Sequence, residues 1–382
     1  MKKIIVLGAG MVGAAIARDL CDNYRVTSVD INSEHLNKLK DNASIHTLEA
    51  NLSDPEVVRK LVADYDLAIG AVPGFMGFQT LKAVIEAGKN IVDISFFEQD
   101  SFELDDLAKK HNVVAVMDCG VAPGMSNLFL GHHNSKMEID NFECFVGGLP
   151  VVRTWPYEYK APFSPIDVIE EYIRPSKIVE EGKVKMKPAL SDPELVNFEE
   201  IGSLESFNTD GLRTLLTTMK IPNMKEKTLR YPGHIAMMKV LRETGFFSKE
   251  PVVVNGIEVR PLDITTRLLF PFWKLGEDEQ EFTVMQIKIA GRENGKQKEY
   301  VYNLLDRFDE KTKTSSMART TGYPCTAVAR LILEKRFTQI GINPPEFVGA
   351  NEACFEFILD YQKARNILYN VTEKKLTKVK YY

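Results

Sequence analysis

Short apolar runs alternate with longer amphipathic stretches along the first 120 residues of the chain. The runs have the length of strands, and the stretches between them show helical spacing of apolar positions. The predicted strands are Ile4–Leu7, Val26–Val29, Ile45–Leu48, Leu67–Ala71, Asn90–Ile94 and Val113–Met117. The predicted helices are Met11–Cys21, Glu34–Lys40, Pro55–Val62, Gly77–Ala87 and Phe102–Lys110. This alternation predicts a doubly wound α/β domain with a parallel sheet of strand order 3-2-1-4-5-6.

The regular alternation ends near residue 120, and a region rich in proline and aromatic residues follows. Helices are predicted there at Pro165–Ile173 and Thr209–Met219, and strands at Asn141–Val146, Val252–Val259, Phe282–Gly291 and Lys298–Leu305. We therefore expect the α/β domain over 1–120 to be interrupted by an α+β domain over 121–319. The helical pattern that returns over about 320–367 completes the first domain, and the Lys-rich tail 373–382 is expected to be a solvated terminus.

Three glycines follow the first predicted strand and open the first predicted helix. Gly8 permits the tight turn, Gly10 lets the backbone approach a pyrophosphate, and Gly13 lets the helix pack closely on the strand. The N-terminus of that helix presents free N–H groups to an anion. The pattern predicts a dinucleotide held by the residues Gly8, Ala9, Gly10, Met11, Val12 and Gly13.

An acid closes the second predicted strand. Asp30 lies 17 positions after Gly13, where a carboxylate can accept hydrogen bonds from both hydroxyls of the adenosine ribose. No arginine immediately follows it, and its charge would repel a 2′-phosphate, so the sequence predicts NAD rather than NADP as the cofactor. Ligands of such sheets gather at the carboxyl ends of the strands, which adds Ile31, Asn51, Val72, Pro73 and Gly74 to the predicted cofactor contacts.

Composition narrows the class of protein. The chain has 382 residues, of which 44% are apolar, so it can bury a large core in two or three domains. Its net charge of −5 comes without a basic stripe, so we expect no nucleic acid partner. Five widely spaced cysteines without a Cys-x-x-Cys pair favour a reducing cytoplasm over a disulfide framework or a zinc site.

The sequence also predicts neither a membrane partner nor a metal site. The first apolar run breaks at Gly8, which is too short for a signal peptide or a membrane span, so no membrane partner is expected. The adjacent pair His132-His133 lacks a third ligand at suitable spacing, so no metal site is expected.

Five strings between residues 120 and 346 resemble the saccharopine dehydrogenase family. They are Gly-Val-Ala-Pro-Gly-Met (120–125), Gly-Gly-Leu-Pro (147–150), Glu-Ser-Phe-Asn-Thr-Asp-Gly-Leu (205–212), Thr-Leu-Arg-Tyr-Pro-Gly-His (228–234) and Pro-Pro-Glu (344–346). Fungal-type reductases of this family carry an active-site acid where this chain has Ala122, and the pattern is most similar to the lysine 6-dehydrogenase branch. The resemblance implies a Rossmann domain interrupted by a substrate domain that also carries a homodimer interface.

The resemblance further implies NAD(P)-dependent oxidation of an amine carbon in an amino-acid substrate, either lysine or a lysine adduct. The first hypothesis is an L-lysine 6-dehydrogenase, which releases ammonia and leaves an aldehyde. The second is a saccharopine dehydrogenase or reductase, and the third is a non-catalytic scaffold that binds NAD without turnover.

Amine oxidation requires charge anchors for the substrate and a base for the amine proton. Arg230 is the first candidate for holding an α-carboxylate and Arg213 the second. Further expected substrate contacts are Tyr231, Glu171 and Tyr172.

Three residues are candidates for proton transfer. Asp93 and Asp118 follow predicted strands and could hold an ammonium or accept its proton, and His234 is the candidate general base because its ordinary pKa is near 6.5. Structural roles compete with these assignments: Arg230 as the partner of a carboxylate, His234 as a backbone contact at a turn, and Asp118 as a helix cap. Cys119 lies beside the expected site, where packing is favoured over a nucleophilic role.

Overall fold

A computed structural model of the protein describes residues 1–276 and 279–375, so residues 376–382 of the Lys-rich tail lie outside the described residues. The strands are β1 Lys3–Leu7, β2 Arg25–Asp30, β3 Ile45–Glu49, β4 Leu67–Gly70, β5 Ile91–Asp93, β6 Val114–Val116, β7 Glu138–Pro150, β8 Ser176–Glu180, β9 Lys183–Lys187, β10 Glu194–Phe198, β11 Gly202–Asn208, β12 Asn223–Arg230, β13 Val252–Val254, β14 Ile257–Val259, β15 Glu281–Glu293, β16 Lys296–Arg307, β17 Gly341–Asn343 and β18 Tyr369–Lys375.

The helices are α1 Met11–Leu20, α2 Ser33–Asn37, α3 Pro55–Val62, α4 Gly74–Glu86, α5 Asp105–Lys110, α6 Met125–Asn134, α7 Pro165–Ile173, α8 Leu215–Thr218, α9 His234–Glu243, α10 Pro261–Trp273, α11 Ser316–Leu333, α12 Pro345–Gly349 and α13 Glu352–Lys363. A 3₁₀ turn at Ser101–Leu104 precedes α5. Within these described segments, no helix combines the length and the apolar character needed to cross a bilayer.

Two compact units divide the chain. The first comprises residues 1–137 and 318–368, and the second comprises residues 138–317 with β18. The segment 121–137, expected in the second domain, therefore lies in the first unit. Its helix α6 crosses α12 so closely that a Cβ atom on Gly131 would lie 2.1 Å from the carbonyl oxygen of Glu346.

The first unit contains a parallel seven-stranded sheet in the order β17-β6-β5-β4-β1-β2-β3. The predicted α/β class and the predicted order of the first six strands are confirmed, and β17 pairs with β6 as a seventh strand. The residues Ile4–Leu7 of β1 are fully buried, as expected for a central parallel strand that is covered on both faces. The carboxyl ends of β1, β2, β4, β5 and β6 consequently lie along one edge.

The second unit is built on a nine-stranded mixed sheet in the order β10-β11-β12-β7-β15-β16-β18, with β8 pairing with β12 and β9. Only β7 and β12 run parallel among the described neighbours, and the other pairs are antiparallel. Buried side chains of β7 and β15 form one core with α7, α9 and α10.

Two predictions in this unit are wrong in extent. The helix expected at Thr209–Met219 shrinks to α8, because the Thr209 amide bonds to the carbonyl of Glu226 and its hydroxyl contacts that of Thr228. The single strand expected at 252–259 is instead the hairpin β13–β14. Asn255 and Gly256 both have positive φ values, 51° and 79°, as a two-residue hairpin turn requires.

Candidate active site

The glycine-rich loop between β1 and α1 is tightly packed on two sides and open on a third. A Cβ atom on Gly8, where φ is +112°, would lie 2.2 Å from the carbonyl oxygen of Ala71, and a Cβ atom on Gly13 would lie 2.1 Å from that of Gly8. A Cβ atom on Gly10 would meet no atom within 4 Å. The loop is therefore fixed against the start of α1 and the end of β4, while space remains where a ligand would approach Gly10.

The N-terminus of α1 borders this space. Gly10 is its N-cap, and the described residues contribute neither a side-chain cap nor an acid in the first turn. Met11 at the first helical position is about half exposed. The first amides of α1, which belong to Met11 and Val12, are thus suited to an anion by direction and by the helix dipole.

The side chain of Asp30 lies beside the loop at the end of β2. One carboxylate oxygen accepts a hydrogen bond from the Ala9 amide at 2.7 Å, and the other accepts one from the Asn32 amide at 2.8 Å. The imidazole of His35 is 3.4 Å away. Asn32 caps α2, so Asp30 is not the cap of that helix, and Ile31 is exposed at the same edge.

The remaining predicted cofactor residues lie on two neighbouring loops. The carboxamide oxygen of Asn51 accepts hydrogen bonds from both the amide and the hydroxyl of Ser53. This oxygen therefore already has partners within its own loop. Val72 is buried, and Pro73 is the N-cap of α4, which begins at Gly74 rather than at the predicted Gly77.

Asp93 and Asp118 are buried acids at the carboxyl ends of β5 and β6. The Asp93 carboxylate accepts hydrogen bonds from the amide and hydroxyl of Ser95, and it lies so close to Gly70 that a Cβ atom there would be 1.8 Å from its oxygen. Asp118 has a positive φ of 53°. It does not cap the following helix, since Gly124 is the N-cap of α6.

Two cysteines lie near these acids. Burial raises the pKa of the Cys119 thiol far above its ordinary value, and the charges of Asp118 and Asp93 raise it further. The pKa of Cys325 is raised by burial and by Cys119 and Asp93. Both thiols are therefore held protonated, which supports packing rather than a nucleophilic role for Cys119.

The strings 120–125 and 344–346 meet in the first unit, although they are far apart in the chain. The Asn127 carboxamide donates a hydrogen bond to the Glu346 carboxylate at 3.1 Å and accepts one from the Gly124 amide. Both polar side chains are buried. Sequence reasoning missed this pair, for which the only available signal was the resemblance of the two strings.

Arg230 lies at the centre of a buried polar cluster in the second unit, which we call the Arg230 cluster and which consists of Glu171, Tyr172, Arg230, His234 and the ring of Tyr159. The guanidinium donates hydrogen bonds to the Glu171 carboxylate at 2.7 Å and to the Tyr172 hydroxyl at 3.0 Å. It also donates to the carbonyl of Leu229 and lies 4.4 Å from the centre of the Tyr159 ring.

Three N–H groups of Arg230 and one face of its guanidinium already have protein partners. These contacts weigh against Arg230 as the ligand of a substrate carboxylate, and that role stays a prediction. Glu171 and Tyr172, also expected to contact substrate, are two of these partners. Burial raises the pKa of Glu171, and the charge of Arg230 opposes that rise. Burial likewise raises the pKa of Tyr172 to about 12.

His234 completes the cluster. The Tyr172 hydroxyl donates to its Nε2 at 3.0 Å, and its Nδ1 donates to the carbonyl of Tyr157 at 2.9 Å. Burial lowers the pKa of His234 to about 3, and the charge of Arg230 lowers it too. The lowered pKa makes this imidazole a weaker proton acceptor than an ordinary histidine. It weighs against His234 as the general base, and that role stays a prediction.

Two further predicted substrate residues have different surroundings. The Tyr231 hydroxyl donates a hydrogen bond to the carbonyl of Pro150 at 2.8 Å, and the guanidinium of Arg153 lies over its ring. Tyr231 is thus engaged within its own unit. Arg213 is half-buried in the segment before α8, with a positive φ of 50°.

Over residues 1–276 and 279–375, no cluster of three or more His, Cys, Asp and Glu side chains has the arrangement of a metal site. The ring of His132 stacks on Phe355 with the centroids 3.8 Å apart.

Family models match nearly the whole chain. Residues 4–116 match the saccharopine dehydrogenase NADP binding domain, and residues 120–367 match the saccharopine dehydrogenase C-terminal domain. The chain belongs to the saccharopine dehydrogenase family. The family prediction is confirmed and dinucleotide binding is supported, while the lysine 6-dehydrogenase branch stays a prediction.

Curated relatives are distant. The saccharopine dehydrogenase [NADP(+), L-glutamate-forming] of Pyricularia oryzae is 25% identical over 65% of this chain and 59% of its own length. The mitochondrial alpha-aminoadipic semialdehyde synthase of Bos taurus is 24% identical over 96% of this chain and 47% of its own length. The chain thus spans only about half the length of these relatives.

Two solved structures share the fold. The apo saccharopine dehydrogenase (L-Glu forming) of Saccharomyces cerevisiae has a TM-score of 0.79 and 18% identity, covering 99% of this chain and all of the other. The homospermidine synthase of Legionella pneumophila in complex with NAD has a TM-score of 0.67 and 12% identity, covering 99% and 93%.

Proposed function

We propose that this protein is an NAD-dependent oxidoreductase that oxidises the terminal amine of L-lysine. The observation that carries the proposal is the open space at Gly10, between a Gly8 and a Gly13 that neighbouring carbonyls hold in place. An open glycine turn in front of a helix that has no side-chain cap has the shape and the free amides that a pyrophosphate requires.

The residues that would hold the dinucleotide are the first amides of α1 and the Asp30 carboxylate. The bound cofactor would supply the acceptor for a hydride. Asp30 supports NAD, because two amides fix its carboxylate at the end of β2 with no arginine immediately after it. The family model named for NADP and the NADP-named fungal relative support the other choice, so the cofactor is part of the test.

Asp93 and Asp118 are the proposed proton acceptors and ammonium ligands. Both lie at the sheet edge to which the glycine-rich loop belongs, and buried carboxylates attract a substrate ammonium strongly. The amine must lose a proton before its carbon gives up a hydride, and water then replaces the nitrogen and releases ammonia. Arg213 is the proposed anchor for the substrate carboxylate, since Arg230 is engaged within the Arg230 cluster.

Saccharopine is the second candidate substrate. The names of the fungal and yeast relatives favour it, whereas Ala122, which stands where fungal-type reductases carry an acid, favours lysine. Both reactions oxidise a carbon–nitrogen bond of an amino acid, so they share the requirements for hydride and proton transfer.

The test is a comparison of four assays on the purified full chain: L-lysine or saccharopine, each with NAD or NADP at alkaline pH, followed by absorbance of the reduced cofactor. Lysine with NAD is expected to give the signal, and the Gly10→Val variant is expected to lose it. Turnover of saccharopine alone would transfer the assignment to that substrate. Binding of NAD in a calorimeter with no turnover in any assay would indicate a scaffold.

A further inference from the structure

A cavity of about 130 Å³ lies in the second unit between segment 154–160 and the end of α10. We call it the Tyr159 pocket. Its lining includes four aromatic residues and two polar ones, namely Trp155, Tyr157, Tyr159, Phe272, Thr154 and Lys160. A cavity of about 150 Å³ in a protein core accommodates benzene. The Tyr159 pocket therefore has room for a ligand of roughly five or six non-hydrogen atoms.

The core of the second unit fixes the walls of this pocket. The Ala161 amide donates a hydrogen bond to the carbonyl of Trp273 at 2.8 Å, which joins the segment to the end of α10. The carbonyl of Tyr157 accepts a hydrogen bond from Nδ1 of His234 at 2.9 Å. The pocket is thus bounded by backbone that is tied to buried residues on both sides.

The inner wall carries a polar group that has no partner among the described residues. Tyr159 is 3% exposed, and its hydroxyl is buried without a hydrogen bond to them. The guanidinium of Arg230 lies over its ring, and the indole of Trp273 meets the ring edge-on with the centroids 5.6 Å apart. These contacts fix the ring. A buried hydroxyl without a partner is rare in native proteins and costs stability, so a ligand that bonds to it is favoured.

Lys160 adds a positive charge at the same pocket. Of the described residues that line it, Lys160 alone is charged. Its ammonium donates a hydrogen bond to the carbonyl of Lys274 at 3.3 Å and lies 3.4 Å from the Glu279 carboxylate. An ammonium has three donors, so these two contacts leave one for a ligand. Burial raises the pKa of the Tyr159 hydroxyl above its ordinary value, so that group also keeps its proton and can donate.

We propose that the Tyr159 pocket binds a carboxylate carried on a short aliphatic chain. A carboxylate only accepts hydrogen bonds, and it can accept from the hydroxyl of Tyr159 and from the ammonium of Lys160. The aromatic walls then cover the aliphatic part. Aromatic side chains also attract organic cations, but a cation here would be repelled by Lys160 and by Arg230 behind the Tyr159 ring. Two sources supply this chemistry, the amino-acid substrate and a separate small acid, and the experiment separates them.

The two tryptophans of the chain report on the pocket. Trp155 lines it, and Trp273 packs against Tyr159. Titration of the purified full chain with sodium propionate, with sodium chloride keeping the ionic strength constant, is expected to change their fluorescence with a dissociation constant of roughly 1–10 mM. Propionamide has nearly the same shape without the charge, and propylamine is a cation at neutral pH. Both are expected to bind at least about tenfold more weakly.

Tyr159→Phe removes the hydroxyl and keeps the ring that contacts Arg230. Without propionate, the variant is expected to melt at or above the wild-type temperature, because no bond to a described residue is lost. Saturating propionate should raise the melting temperature of the wild type and leave that of the variant nearly unchanged. Tyr231→Phe is the matched control. It loses the bond to the carbonyl of Pro150, so it should melt lower than the wild type and still respond fully to propionate.

Lys160→Gln tests the charge. It is expected to weaken propionate binding about tenfold, whereas Lys249→Gln, which affects an exposed lysine paired with Glu170, should leave it unchanged. Repeating the titration with saturating L-lysine identifies the source: loss of the propionate response assigns the pocket to the carboxylate of the amino acid, and an unchanged response assigns it to a separate acid. This readout is binding alone, so it does not depend on amine oxidation.

Three results would overturn the proposal. The first is a wild type whose fluorescence and melting temperature do not respond to propionate. The second is a full response in both Tyr159→Phe and Lys160→Gln. The third is a response to propylamine or propionamide that equals or exceeds the response to propionate, because the pocket would then select for shape or for positive charge.

Discussion

The Asp30 carboxylate accepts a hydrogen bond from the Ala9 amide at 2.7 Å and thereby ties the end of β2 to the glycine-rich loop. The same carboxylate fixes the Asn32 amide at the start of α2. Asp30 thus shapes the loop in addition to offering an acceptor to a ribose, so its removal has a structural and a ligand-binding effect.

Asp30→Ala is expected to weaken NAD binding by roughly 10- to 100-fold, the range that corresponds to loss of one or more charge-assisted hydrogen bonds. NADP affinity should fall less or should rise, because the repulsion of its 2′-phosphate disappears. Calorimetric titration of both nucleotides measures the two changes. Asp41→Ala, which removes a surface carboxylate paired with Arg18, is the control, and an unchanged NAD affinity in Asp30→Ala would contradict the role of Asp30.

Substitutions at two glycines of the same loop are expected to affect different properties, dinucleotide affinity at Gly10 and stability at Gly13. Gly10 has φ −64° and open space beside it, so Gly10→Ala should keep the melting temperature and lower dinucleotide affinity about tenfold. Gly13→Ala places a Cβ atom 2.1 Å from the carbonyl oxygen of Gly8 and should destabilise the protein by about 1–3 kcal/mol. Thermal unfolding and calorimetry on both variants check the pair, and a strongly destabilised Gly10→Ala would refute this account of the loop.

Local patterns predicted the first unit well for a physical reason. Central parallel strands are covered on both faces, so β1 is a continuous apolar run that stands out in the sequence. The glycines and Asp30 could be assigned because their roles depend on neighbours within one β-α-β segment. Even there, the helix expected from Gly77 begins at Gly74, since Pro73 suits the position before a helix.

The second unit was harder to predict, because its sequence patterns are weak and its contacts join residues that are far apart in the chain. Strand β9 reads Lys-Val-Lys-Met-Lys and is largely exposed on both faces, so no buried face marks it. The Asn255-Gly256 turn was a readable hairpin signal, which the apolar character of the flanking valines obscured. The partners of Arg230 could not be predicted, since Glu171 and Tyr172 lie about sixty positions earlier and meet it only through the packing of α7 on β12.

Breaking the ion pair of the Arg230 cluster should cost stability. Glu171→Gln leaves the buried guanidinium of Arg230 without its counter-ion, and a loss of about 2 kcal/mol is expected, reduced from the fully buried case because Glu171 is 22% exposed. Glu170→Gln, which affects a surface pair with Lys249, should cost less than about 1 kcal/mol. Urea unfolding measures the stability of both variants. Equal losses of stability would show that the buried ion pair contributes no more than the surface pair.

Asp93 and Asp118 can each be tested with asparagine, which has nearly the same shape and lacks the carboxylate charge. Asparagine tolerates the positive φ of residue 118 and keeps one of the oxygens of residue 93. Asp118→Asn and Asp93→Asn are each expected to lower kcat by roughly 100-fold, as for loss of a proton acceptor, with a smaller change in KM. Asp106→Asn, on the exposed side of α5, is the control, and wild-type kcat in both variants would exclude these acids from the chemistry.

His234 should make stability depend on pH in a specific window. Burial and the charge of Arg230 lower its pKa to about 3 in the folded protein, whereas in the unfolded chain it is about 6.5. Between these values the unfolded state binds the extra proton, so the contribution of His234 to stability is complete above pH 6.5 and falls as the pH decreases toward 3. The slope from this one group is at most about 1.4 kcal/mol per pH unit.

His234→Asn is therefore expected to be less stable than the wild type at pH 7, since it loses the bonds to Tyr172 and Tyr157, and to lose less stability on acidification from pH 6.5 to 4. Urea unfolding at intervals of one pH unit gives both slopes. His46→Gln, which removes an exposed imidazole of β3, is the control and should retain the wild-type slope. Parallel curves for His234→Asn and the wild type would contradict the lowered pKa of His234 in the folded protein.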